Sequence, residues 1–392
     1  MMVFIFWVVA SVVVFYLLFL LWMRLGLDRV KQWGSNPTIP TVSVVIAARN
    51  EEENISELLD SLRQQVYPSD RLEIIVIDDG STDGTGDVLT SYAEQMPNLR
   101  YYRLDKIPSG WSPKKWALTH GIGCSTGEVI LTTDADCRPG PAWIETVVRP
   151  FADPSVGMVT APAPLVADGK SMWWEALFLD SCAWDAFGAA GTGQGLALTC
   201  SGRNLAYRKR LFEELEGFQG VEHFVSGDDE LLMQKMVIAG GWRLAFALST
   251  KAIVPSPPPP TFIAFVRQRM RFASKGRHYF RLKTKSRFKF VVALIYLANL
   301  AGLVSLVAGL ITLRTVWLAP LVLKIASEGI LVPPYLRKIQ RPVRPITFII
   351  TGLFYPLYVV FFGTLGSFST LAWKGRRYEG SQVSTVDSQI QH

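Results

Sequence analysis

The sequence predicts an α/β domain on a mostly parallel sheet, flanked by transmembrane helices, one N-terminal and two to three C-terminal. Three observations lead there. The chain has 392 residues, 49% of them hydrophobic, and a mean hydropathy of +0.23, too apolar for an ordinary soluble domain. Met1 to Met23 contains no charged residue, which suits a helix across a bilayer core of about 30 Å. Further along, short β-branched runs end in acidic loops, the pattern of buried parallel strands whose carboxyl ends face a ligand.

The N-terminal run is followed by Arg24, Arg29 and Lys31. A cleaved signal peptide has the opposite order, with positive charge before the apolar run. We therefore expect an anchor over 1–23, with the following domain on the cytosolic side by the positive-inside bias. Val42 to Ala48 reads as the first strand. Asn50 follows as a helix N-cap candidate with Glu53 three residues on, and Ile55, Leu58, Leu59 and Leu62 recur at helical spacing. A second strand, Leu72 to Ile77, runs into Asp78-Asp-Gly-Ser-Thr-Asp83. A third, Glu128 to Thr133, runs into Asp134-Ala-Asp136. The expected units are the 1–23 anchor, a 24–255 cytosolic domain, a 256–289 Pro-rich and basic interfacial segment, a 290–373 transmembrane region and a 374–392 polar tail.

Phe290 to Leu313 and Pro345 to Trp373 are uncharged. Between them, Val316 to Leu336 is apolar but carries Lys324, Glu328 and paired prolines, compatible with spanning, re-entering or lying in the interface. The net charge is +7, and Arg267 to Lys289 holds ten Lys and Arg with no carboxylate. Beside a span, such a cluster points to anionic lipid headgroups rather than nucleic acid. Cys124, Cys137, Cys182 and Cys200 have no metal or redox spacing and read as reduced thiols. His120, His223 and His278 have no catalytic spacing either.

Asp134 and Asp136 sit one residue apart at a strand end, able to reach a common Mg²⁺ or Mn²⁺ that also holds substrate phosphates; the alternative is a polar turn with a helix cap. Asp78 and Asp79 fit either a tight turn or a carboxylate receiving a base N–H. Lys114 fits a solvated helix start or a cation beside a diphosphate. In Gly227-Asp-Asp-Glu230, one of Asp228 and Asp229 is expected to cap the following helix; Asp229 is the candidate base and Asp228 the runner-up.

The ordered motifs resemble the inverting family 2 glycosyltransferases with their GT-A fold, over residues 41 to about 275. Ala47-Ala-Arg-Asn-Glu51 is similar to the motif that contacts the nucleoside, which implicates Ala48, Arg49, Asn50 and Glu51. Asp78-Asp-Gly-Ser81 is similar to the uracil-recognising loop, Lys114-Lys-Trp-Ala-Leu118 to the lysine beside the donor, and Asp134-Ala-Asp136 to the metal-binding D-x-D. Gly202-Arg-Asn-Leu-Ala-Tyr-Arg208 is similar to the stretch before the acceptor site, and Gly227-Asp-Asp-Glu230 to the acidic pair bearing the base. Gln268-Arg-Met-Arg-Phe272 resembles the Q-x-x-R-W signature of the membrane-embedded synthases, the group of cellulose synthase, hyaluronan synthase and ceramide glucosyltransferase; Phe272 replaces the tryptophan and lacks its indole N–H. The resemblance implies that Gln268, Arg269, Arg271 and Phe272 lie near the acceptor and the leaving diphosphate. An amphipathic interfacial helix with Phe262, Phe265 and Phe272 buried and its arginines at headgroups is the other reading.

The expected function is inverting transfer of a sugar from a nucleotide-sugar, by resemblance a UDP-sugar, to a lipid, lipid-linked or other glycan acceptor at the cytosolic face of a bacterial-type inner membrane. The alternatives are a processive polysaccharide synthase and a non-catalytic membrane sugar-nucleotide sensor. The sensor reading predicts loss of the acidic residues, and all four of Asp134, Asp136, Asp228 and Asp229 are present.

Overall fold

A computed structural model describes residues 1–34, 39–167, 169, 171–274, 276–281, 284–366, 371–373 and 376–378, with backbone alone at 277, 278, 281, 371–373 and 376–378. Its centre is a seven-stranded sheet in the order β3-β2-β1-β4-β6-β5-β7. The strands are β1 Val42–Ala48, β2 Leu72–Asp78, β3 Leu99–Arg103, β4 Val129–Thr132, β5 Val156–Thr160, β6 Leu205–Arg208 and β7 Arg243–Phe246. Only β6 runs antiparallel to its neighbours β4 and β5; β1 pairs parallel with β2 and β4.

Helices α1 Met2–Arg29, α2 Ile55–Arg63, α3 Thr85–Gln95, α4 Pro113–Gly123 and α5 Trp143–Val148 lead to the long α6 Met172–Gly193. Then come α7 Lys209–Glu214, α8 Glu230–Ala239, α9 Phe262–Ala273 and α10 Gly276–Arg281. The C-terminal helices are α11 Ser286–Thr312, α12 Ala319–Glu328, α13 Val332–Lys338 and α14 Pro345–Leu365.

The strands form because their cores are continuous apolar, β-branched runs buried on both faces. Val44, Val76 and Leu131 pack with Leu58 and Leu62 on one side, while Val45, Ile75 and Ile130 pack with Leu118 and Ile122 on the other. Sequence placed β1 and β2 correctly and β4 as its third strand. It passed over β3, β5, β6 and β7, which are at most five residues long. The N-cap assignment was wrong in position. Asn50 adopts a left-handed backbone (φ 51), and α2 begins after Asn54. The Asn50 side chain instead accepts a hydrogen bond from Thr82 N at 2.9 Å, tying the β1 loop to the β2 loop.

Asn204, fully buried, joins both halves of the sheet to the following segment. It accepts from Trp143 Nε1 (2.9 Å) and donates to the carbonyls of Pro162 (2.7 Å) and Ala252 (2.8 Å). Asn204→Ala strands the Trp143 donor and the Ala252 carbonyl, while the Pro162 carbonyl keeps Val254 N at 3.0 Å. We expect a loss of about 2 kcal/mol or more of stability at ~1–3 kcal/mol per buried unsatisfied group, read as a lower melting temperature of the purified protein; an unchanged melting temperature would contradict this.

Among the described residues, four helices are long and apolar enough to cross a membrane: Met2–Arg29, Ser286–Thr312, Thr315–Lys338 and Pro345–Leu365. The third is interrupted. The ten residues of α12 reach about 15 Å at 1.5 Å per residue, and Pro333 and Pro334 start the separate α13. The uncharged run to Trp373 does not stay helical: α14 ends at Leu365, and Leu371–Trp373 pairs antiparallel with Arg376–Tyr378. The rest of the expected 374–392 tail and the His278 side chain lie outside the described residues. All four cysteines are free thiols.

The α/β domain is docked on α1 through α6. Tyr16, Leu20, Met23 and Leu27 pack against Leu179, Cys182, Ala186 and Ala190. Small residues let the backbones touch: a Cβ at Gly193 would lie 1.9 Å from the Gly26 carbonyl oxygen.

Candidate active site

The carboxyl ends of β1, β2 and β4 open on one cavity of about 910 Å³. Ala48, Arg49, Glu51 and Asp79 line it from the first two loops, Lys114 from the start of α4, and Asp134 and Asp136 from the end of β4. Asp228 and Asp229 face it ahead of α8, and Gln268, Arg269, Arg271 and Phe272 from α9. Two sequence-chosen residues do not line it. Asn50 is spent between loops, as above. Asp78 is fully buried; its Oδ1 accepts from Ser81 N and Oγ at 2.7 and 2.6 Å, shaping the turn. Gly80 follows at φ +66, a conformation that favours glycine. Asp79 therefore presents the loop's carboxylate to the cavity, with Arg49 3.8 Å from it.

The two adjacent lysines have different tasks. Lys115 is buried and donates to the carbonyls of Val221, Phe224 and Ser226, pinning the segment that leads to the acidic pair. Lys114 projects into the cavity between two carboxylates, 2.8 Å from Asp134 and 3.0 Å from Asp228. Burial alone would lower the Lys114 pKa, but the facing Asp134 and Asp228 outweigh it and raise it. Burial alone would raise Asp228; Lys114 reverses this and holds it at about 2. Asp228 thus stabilises the fold fully above its ordinary 3.8 and loses that contribution as pH falls toward about 2. Lys114 contributes fully below its ordinary 10.5 and loses its share only as pH rises beyond that. The pair stays charged throughout the neutral range.

Asp229 is held differently. Its Oδ1 accepts from Glu230 N at 2.7 Å as the cap of α8, and its Oδ2 accepts from Gly202 N at 2.9 Å. Neighbouring Glu230 receives Thr199 Oγ1 at 3.0 Å and the Tyr279 hydroxyl.

Helix α9 departs from the amphipathic expectation. Of its three phenylalanines, Phe265 is buried, whereas Phe262 and Phe272 are 66% and 41% exposed. Arg269 does not reach headgroups: it is 7% exposed and ion-paired with Asp180 of α6 at 2.7 Å, and its guanidinium also faces the Tyr358 ring. That pair ties α9 to α6, while Arg269 still lines the cavity. Gln268 keeps a buried Oε1 with no hydrogen-bond partner on the cavity side of the helix.

Sequence reasoning missed the α6 wall, where Ser181, Trp184, Asp185 and Gly188 line the same cavity. Its signal was present: beyond Glu175 in the first turn, two aspartates, Asp180 and Asp185, interrupt a mostly apolar 22-residue helix. Burial raises the Asp185 pKa to about 6, partly offset by the Ala163 N–H and by Arg203. The far end of the cavity is apolar, with Val291, Val292 and Ile295 of α11 opposite Tyr358, Val359 and Phe362 of α14.

Residues 43–216 match the family described as Glycosyl transferase family 2. The match takes in the sheet from β1 to β6. The Bacillus subtilis protein described as "Probable glycosyltransferase YdaM" is 29% identical over 262 residues, 66% of this chain and 60% of its own length. The beta-monoglucosyldiacylglycerol synthase of Synechocystis sp. is 31% identical over 140 residues, 36% of this chain and 29% of that protein. The chain thus spans under two thirds of both relatives. In fold it is similar to the mannosyltransferase PcManGT from Pyrobaculum calidifontis, solved with GDP-Man and Mn2+. The TM-score is 0.60 at 22% identity, covering 91% of this chain and 98% of that one. This family 2 domain is of GT-A type, with apolar helices at both ends of the chain.

Proposed function

We propose that the protein is an inverting glycosyltransferase that moves one sugar from a nucleotide-sugar to a lipid or lipid-linked acceptor at the cytosolic face of the membrane. The observation that carries this reading is the single cavity, which joins the acidic rim of a family 2 domain to apolar walls made by α11 and α14. The expected unit boundaries at 24–255 and 256–289 fit the same arrangement, with α9 and the basic segment at the interface. Arg24 and Arg29 in the last turns of α1, with Lys31 just beyond it, support the cytosolic orientation.

Asp79 and Arg49 are the proposed nucleoside contacts, and Asp134 and Asp136 the proposed metal ligands. The donor set fits a hard cation, being two carboxylate side chains at a strand end on the cavity wall. Among the described residues, no group of three His, Cys, Asp or Glu is placed to cage an ion, so Mg²⁺ or Mn²⁺ would share its shell with the donor diphosphate and water. Bound there, the ion would neutralise charge on the departing diphosphate. Lys114 and Arg271 add positive charge to the same end of the cavity, stabilising charge that develops in the transition state.

Asp229 is the proposed base. Asp228 faces the Lys114 ammonium at 3.0 Å, which supports assigning it as a counterion. The acceptor hydroxyl gives its proton to Asp229, its oxygen bonds to the anomeric carbon, and the bond from that carbon to the diphosphate oxygen breaks. The nucleoside diphosphate leaves with the electron pair. The resemblance to inverting enzymes supports inversion in this one displacement.

Calorimetric titration with UDP-sugars and GDP-sugars, with and without Mn²⁺, tests the donor half. UDP is the nucleotide the sequence resemblance implies. Binding should require Mn²⁺ and weaken by about tenfold or more in Asp134→Asn and Asp136→Asn. Equal affinity in the variants would remove these residues as metal ligands.

A further inference from the structure

The charges in the cavity bear on which kind of lipid enters it, an inference that rests on the glycosyl-transfer reading above. Each described cation there has a use. Lys114 faces Asp134 and Asp228, Arg49 faces Asp79, and Arg269 faces Asp180. Arg203 binds the hydroxyls of Ser256 and Ser201 and its field falls on Asp185; Arg271 is the cation assigned to the leaving diphosphate. The α6 wall adds a further carboxylate. Asp185 Oδ2 is anchored by Ala163 N at 2.9 Å, so the group is fixed in direction. A lipid phosphate at this wall would meet that carboxylate, a like-charge contact in a partly desolvated site.

The same wall suits a polyol. Trp184, 43% exposed and on the cavity, offers an aromatic face, and the adjacent Asp185 carboxylate accepts hydroxyl hydrogen bonds. Beyond it the cavity turns apolar between α11 and α14, two helices long and apolar enough to cross the membrane. Leu297 on that arm is 47% exposed, so the arm reaches the outer surface of the helices.

We propose that the acceptor is an uncharged, hydroxyl-bearing lipid whose chains lie between α11 and α14 and whose head group rests on Trp184 and Asp185. The hydroxyl is presented to Asp229 across the cavity. Asp185 and Trp184 are positioning residues for the acceptor.

The test uses the full chain in phosphatidylcholine nanodiscs with Mn²⁺ and whichever radiolabelled donor the titration selects. The acceptors are a bacterial lipid extract split by anion exchange into neutral and anionic fractions, plus dioleoylglycerol and a polyprenyl phosphate as defined probes. Label is expected in the neutral fraction. Trp184→Leu and Asp185→Asn should raise KM for the neutral acceptor by about tenfold with kcat nearly kept, and Trp184→Phe should restore it. Label only in the anionic fraction or on polyprenyl phosphate would overturn the inference, as would unchanged KM in correctly folded Trp184→Leu and Asp185→Asn. Donor binding without label in either fraction would overturn it too, leaving the donor site intact. Absence of any nucleotide binding would instead sink the transferase reading itself.

Discussion

Asp229→Asn should lower sugar transfer by about 10²–10⁴-fold, the usual worth of a positioned general base, with nucleotide affinity kept. Asparagine keeps one acceptor oxygen for one of the two backbone donors that meet Asp229, Glu230 N and Gly202 N, and loses the bond to the other, a local cost of about 1 kcal/mol. The fold around the site should survive, and single-turnover transfer with saturating donor reads the chemical step directly. Asp228→Asn should behave differently. It removes a partner of Lys114, so its main effect falls on donor affinity. Near-normal turnover of Asp229→Asn, with a collapse of turnover in Asp228→Asn, would exchange the two roles.

Arg269→Met should be the most destabilising single change in the interfacial region. It leaves Asp180, 6% exposed, without its counter-charge, and removing one partner of a buried pair costs about 3–5 kcal/mol. Asp180 retains only the Tyr355 hydroxyl at 3.0 Å. Replacing both partners, Asp180→Leu with Arg269→Met, should recover most of the stability, because the uncompensated charge is gone. Thermal unfolding of the two single variants and the double variant forms the cycle. If Arg269→Met unfolds like the wild type, the pair does not brace α9. Gln268 and Arg271 lie on the same short helix, so the unstable variant should also lose transfer, and the double variant should regain it only in part.

The donor rim was legible in the sequence because its signals are local. A continuous apolar run followed by an acidic loop identifies a parallel strand and its carboxyl end, and this located β1, β2, β4 and the D-x-D together. The remaining strands were not legible for the same reason. β5, β6 and β7 are four or five residues long, and their pairing, including the antiparallel β6, is set by tertiary contacts such as those of Asn204. Spacing likewise left the two lysines and the two aspartates of each pair unresolved. Adjacent residues point to different sides, and only packing reveals that Lys115 is held by three carbonyls while Lys114 enters the cavity. The ion pair of Arg269 was not legible because its partner lies 89 positions earlier in the chain. Asp185 was passed over because the scattered carboxylates of α6, Glu175, Asp180 and Asp185, form no motif.

Transfer itself is the most direct test of the central claim. The purified chain in lipid nanodiscs, given Mn²⁺ and a labelled nucleotide-sugar, should move label from the aqueous phase into the organic extract. Mass spectrometry of the product should find one sugar on one lipid, and Asp134→Asn should abolish the signal. Nucleotide binding with no label on lipid, or label found in a long water-soluble polymer, would contradict the account.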